Sequence, residues 1–144
     1  MVLTNDENQN ISKLPIEYFY EIIINAMITK NSEVMEWIIN KVEGNTEENY
    51  IFHIRHIQHY FIMKSLYFAI KKERKKFQEN MKLFSVEAGS TSYKEMLEMF
   101  IIIAKHQFAN ASASRKLKHE YLQITKKLSY PLFDENYLSL NVNP

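Results

Sequence analysis

The chain has 144 residues, of which 46% are apolar, and a net charge of +1. Its length fits one domain that buries about 68–70% of its unfolded surface, and its near-neutral charge argues against a nucleic-acid footprint. The absence of cysteine excludes disulfides, Cys-ligated metals and thiol catalysis, and two Gly and three Pro disfavour turn-rich sheets and Gly-dependent phosphate loops.

Met1 to Asn10 is polar, unlike a signal peptide, and reads as a flexible N-terminus. Pro15 suits the first turn of a helix in which Ile16, Phe19, Tyr20, Ile23 and Met27 follow at helical spacing. Asn31 or Ser32 can cap a second helix with Val34, Trp37, Ile38 and Val42 on one stripe, and Gly44 suits its end. From about Glu48 to Met81 there is no Gly or Pro, which predicts one long helix. Its first half, Tyr50 to Ile70, is apolar on nearly all sides and therefore buried all round. Lys71 to Lys76 reads as its solvated end, and Ser85 to Thr91 as a loop. Ser92-Tyr93-Lys94-Glu95 has capping-box spacing, and Pro131 biases Tyr130 away from the α region. Between them, Tyr93 to Ser129 is predicted as a single helix of roughly 55 Å. No uncharged apolar run reaches about 18 residues, so no membrane span is expected and a cytoplasmic location follows.

Within that last helix, Met96, Phe100, Ile103, Gln107, Asn110, Ser114, Leu117, Tyr121, Ile124 and Leu128 alternate at spacings of four and three. This is a heptad seam, apolar at both ends and polar in its middle. A homodimeric four-helix bundle is expected from it, with Met96, Gln107, Asn110, Leu117, Tyr121 and Ile124 at the interface. A core helix with one tolerated polar patch is the plainer explanation of the same pattern.

A second constellation is His53, His56 and His59, interleaved with Arg55, Tyr60 and Lys64. Such a face can hold an anion, ligate haem iron or bind a metal, or it can consist of ordinary half-buried histidines. Three histidines at steps of three drift around the axis with no carboxylate among them, which weakens the metal option. Cationic groups inside an apolar stretch need partners, and that favours an anion or carboxylate pocket. His106 and His119 are isolated and read as surface residues. There is no nucleophile elbow, P-loop, zincin motif or Gly-rich dinucleotide turn, so catalysis is not expected.

Two shorter helices, a long buried helix and a very long last helix ending in Lys127-Leu128-Ser129-Tyr130-Pro131-Leu132 resemble the non-haem globin sensor domains of stressosome proteins and sporulation kinases. Asn10-Ile11-Ser12-Lys13 through Tyr18 strengthens the likeness, which covers roughly residues 10–135. The resemblance implies a globin-like all-α domain over residues 11–133 with a tail at 134–144, similar to stand-alone sporulation-inhibitory sensors. It further implies no haem, a fatty acid in an apolar tunnel and a halide ion in a polar chamber. On helix faces the acyl chain is expected against Ile54, Ile57, Phe61, Phe100 and Ile103, and its carboxylate or a halide near Arg55, His56, His59 and Lys64. Inhibition would follow from titrating the signal away from a sensor histidine kinase, or from mixed dimers with it. Two alternatives stand beside this one: a haem-binding globin sensor, and a peptide-binding helical-repeat fragment of a quorum-sensing regulator. The helices of such repeats recur at about 34 residues in pairs of similar length, and the long helices predicted here do not.

Overall fold

A computed structural model describes residues 16–44, 54–83 and 94–140, with 16–20 and 54–57 described as backbone only. The described residues form six α-helices, α1 (Ile16–Ile28), α2 (Ser32–Gly44), α3 (Ile54–Ile70), α4 (Arg74–Met81), α5 (Lys94–Gln107) and α6 (Ala111–Leu128), and a one-turn 3-10 helix at Glu135–Leu138. The all-helical expectation holds for them. The two long helices do not: each is a pair of helices folded about a three-residue turn.

The turns between paired helices are closed in two ways. At the end of α1, Lys30 takes φ 51°, its amide donates to Met27, and the next amide, of Asn31, reaches back to Ala26. At the end of α3, Lys72 takes φ 60°, its amide donates to Ala69, and that of Glu73 reaches Phe68. Both are Schellman closures, which normally place Gly in the left-handed position; here a lysine occupies it without any Gly signal. The third turn works differently. Phe108 and Ala109 tighten into i→i−3 bonds, and Asn110 then caps α6, its side chain accepting from the Ala113 amide at 2.8 Å. The Arg74 guanidinium completes this end by donating to the Phe108 carbonyl at 2.6 Å. α6 ends as predicted, with Ser129 in the left-handed region at φ 50° just before Tyr130 and Pro131.

The helices therefore come as three successive pairs, whose first members begin at residues 16, 54 and 94. α3 is the hub, packing on α1, α2, α4 and α5, while α5 also packs on α6. The first helices stack in the order α1, α3, α5. The core runs through this stack: Ile23, Met27, Ile62, Met63, Leu66, Leu97, Phe100 and Ile103 have no exposed surface. The basic segment after Ile70 is solvated as expected, but it is a turn followed by α4 rather than the end of one long helix. Phe77 and Asn80 of α4 are buried, and the Asn80 amide donates at 2.8 Å to both the Phe61 carbonyl and the Ser65 hydroxyl. Those bonds dock a helix of 8 residues that has no independent stability.

The segment after α6 is also part of the domain rather than a tail beyond residue 133. Phe133, Leu138 and Leu140 are buried, and the Asp134 side chain caps the 3-10 turn through the Tyr137 amide at 3.0 Å. This hook returns across the stack to α1, where the Tyr137 hydroxyl donates to the Ile28 carbonyl. The Lys30 ammonium donates to the carbonyls of Tyr137 and Ser139 and lies 3.9 Å from the centre of the Tyr137 ring.

Candidate functional site

The expected cationic cluster is divided by the structure. His53 lies outside the described residues, and for Ile54, Arg55, His56 and Ile57 only the backbone is described. His59 is buried on α3 with 2% of its surface exposed. Lys64 is the informative member. Its side chain is 13% exposed, and its ammonium lies 2.5 Å from Glu43 Oε2 at the end of α2. The Tyr60 hydroxyl donates to the same carboxylate oxygen at 2.7 Å. The ammonium also sits 5.6–5.8 Å from the ring centres of Tyr60, Phe61 and Phe68. The anion beside Lys64 is thus supplied by the chain itself, in the Glu43 carboxylate. Burial opposes the charge on Glu43, yet the hydrogen bonds from Lys64 and Tyr60 and the charge of Lys64 prevail, leaving its carboxyl below its ordinary value. Burial, then the bond to Glu43, pushes the Tyr60 hydroxyl well above its usual range. The group ties α2 to α3. Glu43 was missed because it lies near a helix C-terminus, where an acidic residue opposes the macrodipole and has no local reason to be.

The expected acyl-contact residues separate in the same way. Phe61 is half-buried, whereas Phe100 and Ile103 are fully buried on α5. Phe100 meets Phe133 and Tyr137 edge-on, with ring centres 6.3 and 6.5 Å away, so the hook fills the space beside it. The expected dimer seam is largely spent inside the chain. Met96 and Tyr121 are buried, and Tyr121 donates its hydroxyl to the Asp134 carbonyl. Asn110 is the α6 cap, Gln107 ends α5, and Leu117 packs against the core. Only Ile124 opens onto a surface groove. A helix broken at 108–110 turns its two halves toward each other, so a seam that reads as continuous becomes the inside of a hairpin. His106 is not isolated either: its Nε2 lies 2.8 Å from the Ser114 hydroxyl across that turn.

Two features carry chemistry that sequence reasoning did not reach. One is the Lys30 clamp, in which a half-buried ammonium holds the carbonyls of Tyr137 and Ser139, at the end of the 3-10 turn, and lies over the Tyr137 ring. Burial pushes its pKa down from 10.5 to about 8, against the opposing pull of Asp134. Between about pH 8 and 10.5 the unfolded chain therefore holds a proton that the folded one has lost. Stability rises with pH across that window and falls away as pH drops through its lower edge. The buried hydroxyls of Tyr121 and Tyr137, shifted upward, act in the opposite sense only above pH 10. Urea midpoints at about pH 7.5 and about pH 9.5 should thus differ in the native protein and converge in Lys30→Met.

The other feature is a groove of about 370 Å³ between α5 and α6, lined by Glu98, Ile101, Ile102, Lys105, Glu120, Gln123 and Ile124. A second, of about 460 Å³, adjoins it at Gln123 and runs along α6 past Leu122. Among the described residues no group of three or more His, Asp or Glu is placed to hold a metal, and no helix is long and apolar enough to cross a membrane. Comparison with family models, with curated proteins and with solved structures finds no match.

Proposed function

We propose that the chain is a peptide-binding interaction module built as a short stack of helical hairpins. The observation that carries this is that, among the described residues, three helix pairs follow one another with their first helices stacked, α1 on α3 on α5. That order is the plan of α-solenoids, in which each pair contacts only its neighbours and the stack presents an extended surface for a partner. The pairs are unequal, 13 and 13, 17 and 8, then 14 and 18 residues, so the likeness to a repeat lies in the stacking and not in the sequence. The hook supports the choice of ligand. It is a one-turn 3-10 segment with an extended end, held by its carbonyls through Lys30 and by contacts of Phe133 and Tyr137 with Phe100. A foreign peptide of similar character would be recognised by the same means.

The lipid-sensor reading suggested by the family resemblance is kept as the second, because Phe100 and Ile103 lie buried where α5 meets the α3 layer, as an acyl site there would require. One experiment separates the two. Native mass spectrometry of the purified protein, with fragmentation of whatever is released, is repeated after incubation with a panel of short aromatic-rich peptides and with palmitate. An amide fragment ladder, or saturable uptake from the panel, supports the peptide module. A retained alkanoate supports the lipid sensor. Unliganded protein in every arm counts against both.

A further inference from the structure

We infer that the end of the stack formed by the α3–α4 and α5–α6 turns is a docking face for an acidic peptide segment of a partner. The inference deepens the peptide-module reading and rests on it. Residues 71–76 and 105–116 hold eight of the chain's 18 cationic side chains and one of its 17 acidic ones, which leaves ten cations against sixteen acids elsewhere. The net charge of +1 therefore conceals a basic end and an acidic remainder. The two segments are far apart along the chain, and the fold brings them together. The Arg74 guanidinium donates at 2.6 Å to the Phe108 carbonyl and lies 5.5 Å from the centre of the Phe108 ring, which meets the Phe77 ring at 5.0 Å.

The needs of the fold do not account for this charge. Lys71 and Lys72 follow the C-terminus of α3, where cations complement the macrodipole. α4, however, opens with Arg74, Lys75 and Lys76 at its positive end, where carboxylates are favoured and cations cost stability. Arg74 fastens the α5–α6 turn and Lys76 pairs with Glu73 at 3.4 Å, but Lys75 does neither. α6 has no acidic residue in its first turn either, and Arg115 and Lys116 follow in its second. Among the described residues, Lys72, Lys75, Arg115 and Lys116 have no carboxylate within 4 Å, and all four are exposed.

The surroundings select the occupant. The exposed large apolar side chains among the described residues are Leu83, Leu122, Tyr130 and Leu132, and none belongs to either turn. The face thus offers no wedge for a bilayer and no exposed ring on which bases could stack. Carboxylates suit both the guanidinium fork of Arg115 and the point charges of the lysines. A short acidic segment also meets the basic end without overlying the acidic remainder, as a nucleic-acid duplex or a bilayer would.

Fluorescence anisotropy of the full chain with two labelled peptides tests the inference: four repeats of Glu-Glu-Tyr, and the same peptide with Gln for every Glu. The acidic peptide is expected to bind at least about tenfold more tightly, an advantage that shrinks as salt rises from about 50 to about 300 mM. Lys75→Glu/Lys116→Glu should abolish the advantage, whereas Lys126→Glu/Lys127→Glu, in the last turn of α6, should leave it nearly intact. Lys75→Glu alone should raise the Tm, because it sets a carboxylate at the positive end of α4, so lost binding cannot be laid to lost folding. Equal binding of the two peptides, or an advantage that survives the first reversal, would overturn the inference and leave the peptide module standing. Failure of both peptides to bind would overturn the inference and count against the module too. Tighter binding of a single-stranded oligonucleotide or of phosphatidylserine vesicles than of the acidic peptide would overturn the choice of partner.

Discussion

Phe100→Ala is expected to destabilise the fold by about 3–5 kcal/mol, a large part of what a domain of this size has. The ring has no exposed surface, lies on α5 against the α3 layer, and forms the floor beneath Phe133 and Tyr137. Truncation removes its transfer free energy and opens a cavity that three separate elements border. The rigid stack cannot close around such a void, whereas the hook can shift only by giving up its bonds to α1. The signature is a lower urea midpoint with an unchanged slope if the hook stays docked, and a smaller slope if it detaches. A loss below about 1 kcal/mol would mean that the site collapses freely and that Phe100 is not the keystone of the aromatic cluster.

Removing Glu43 should be the costliest change among the polar groups, at about 1.5–3 kcal/mol for Glu43→Ala. The Lys64 ammonium would remain largely desolvated without its carboxylate, and the Tyr60 hydroxyl would lose its acceptor. Lys64→Met, of similar length and apolar, leaves Glu43 at the half-exposed end of α2 with Tyr60 still bonded, and should cost clearly less. This asymmetry is the diagnostic outcome. Because the Glu43 carboxyl lies below its ordinary value of 4.5, its contribution is present above that pH and is lost as pH falls through the lower folded value. Thermal melts at about pH 7 and about pH 3 should therefore bring the native protein and Glu43→Ala closer together. Equal losses for the two variants at neutral pH would show that Lys64 finds water rather than depending on Glu43.

How legible the fold was depended on whether a signal was local. The helical class, the starts near Ile16 and Asn31, the end at Gly44 and the stop at Ser129 were all written in caps, periodicity and Pro. The breaks at residues 71–73 and 108–110 were not: in the first a lysine, Lys72, fills the left-handed position that Gly would have advertised. Asn110 did carry the capping signal, but its place in an apparently continuous heptad concealed it. Once those breaks are known, the chain reads as successive helix pairs rather than long helices, although the pairs stay unequal in length. The site followed the same rule. That a cation at Lys64 requires an anion could be argued from composition; that the anion is Glu43, 21 positions earlier, could not. Lys30 gave no hint at all, because its partners lie 107 and 109 positions away along the chain.

That long-range clasp changes how the molecule comes apart. A linear array of hairpins melts by fraying, with terminal units opening at little cost while the middle persists. Here the hook at residues 133–140 is fastened to the end of α1, so neither outer hairpin opens without breaking the fastening. The array behaves as a closed ring of dependencies, and its amide protons in α1 and α6 should exchange with a common, near-global protection. The same closure makes it a slower folder than its local hairpins suggest, because the ends meet only after the whole stack has formed between them.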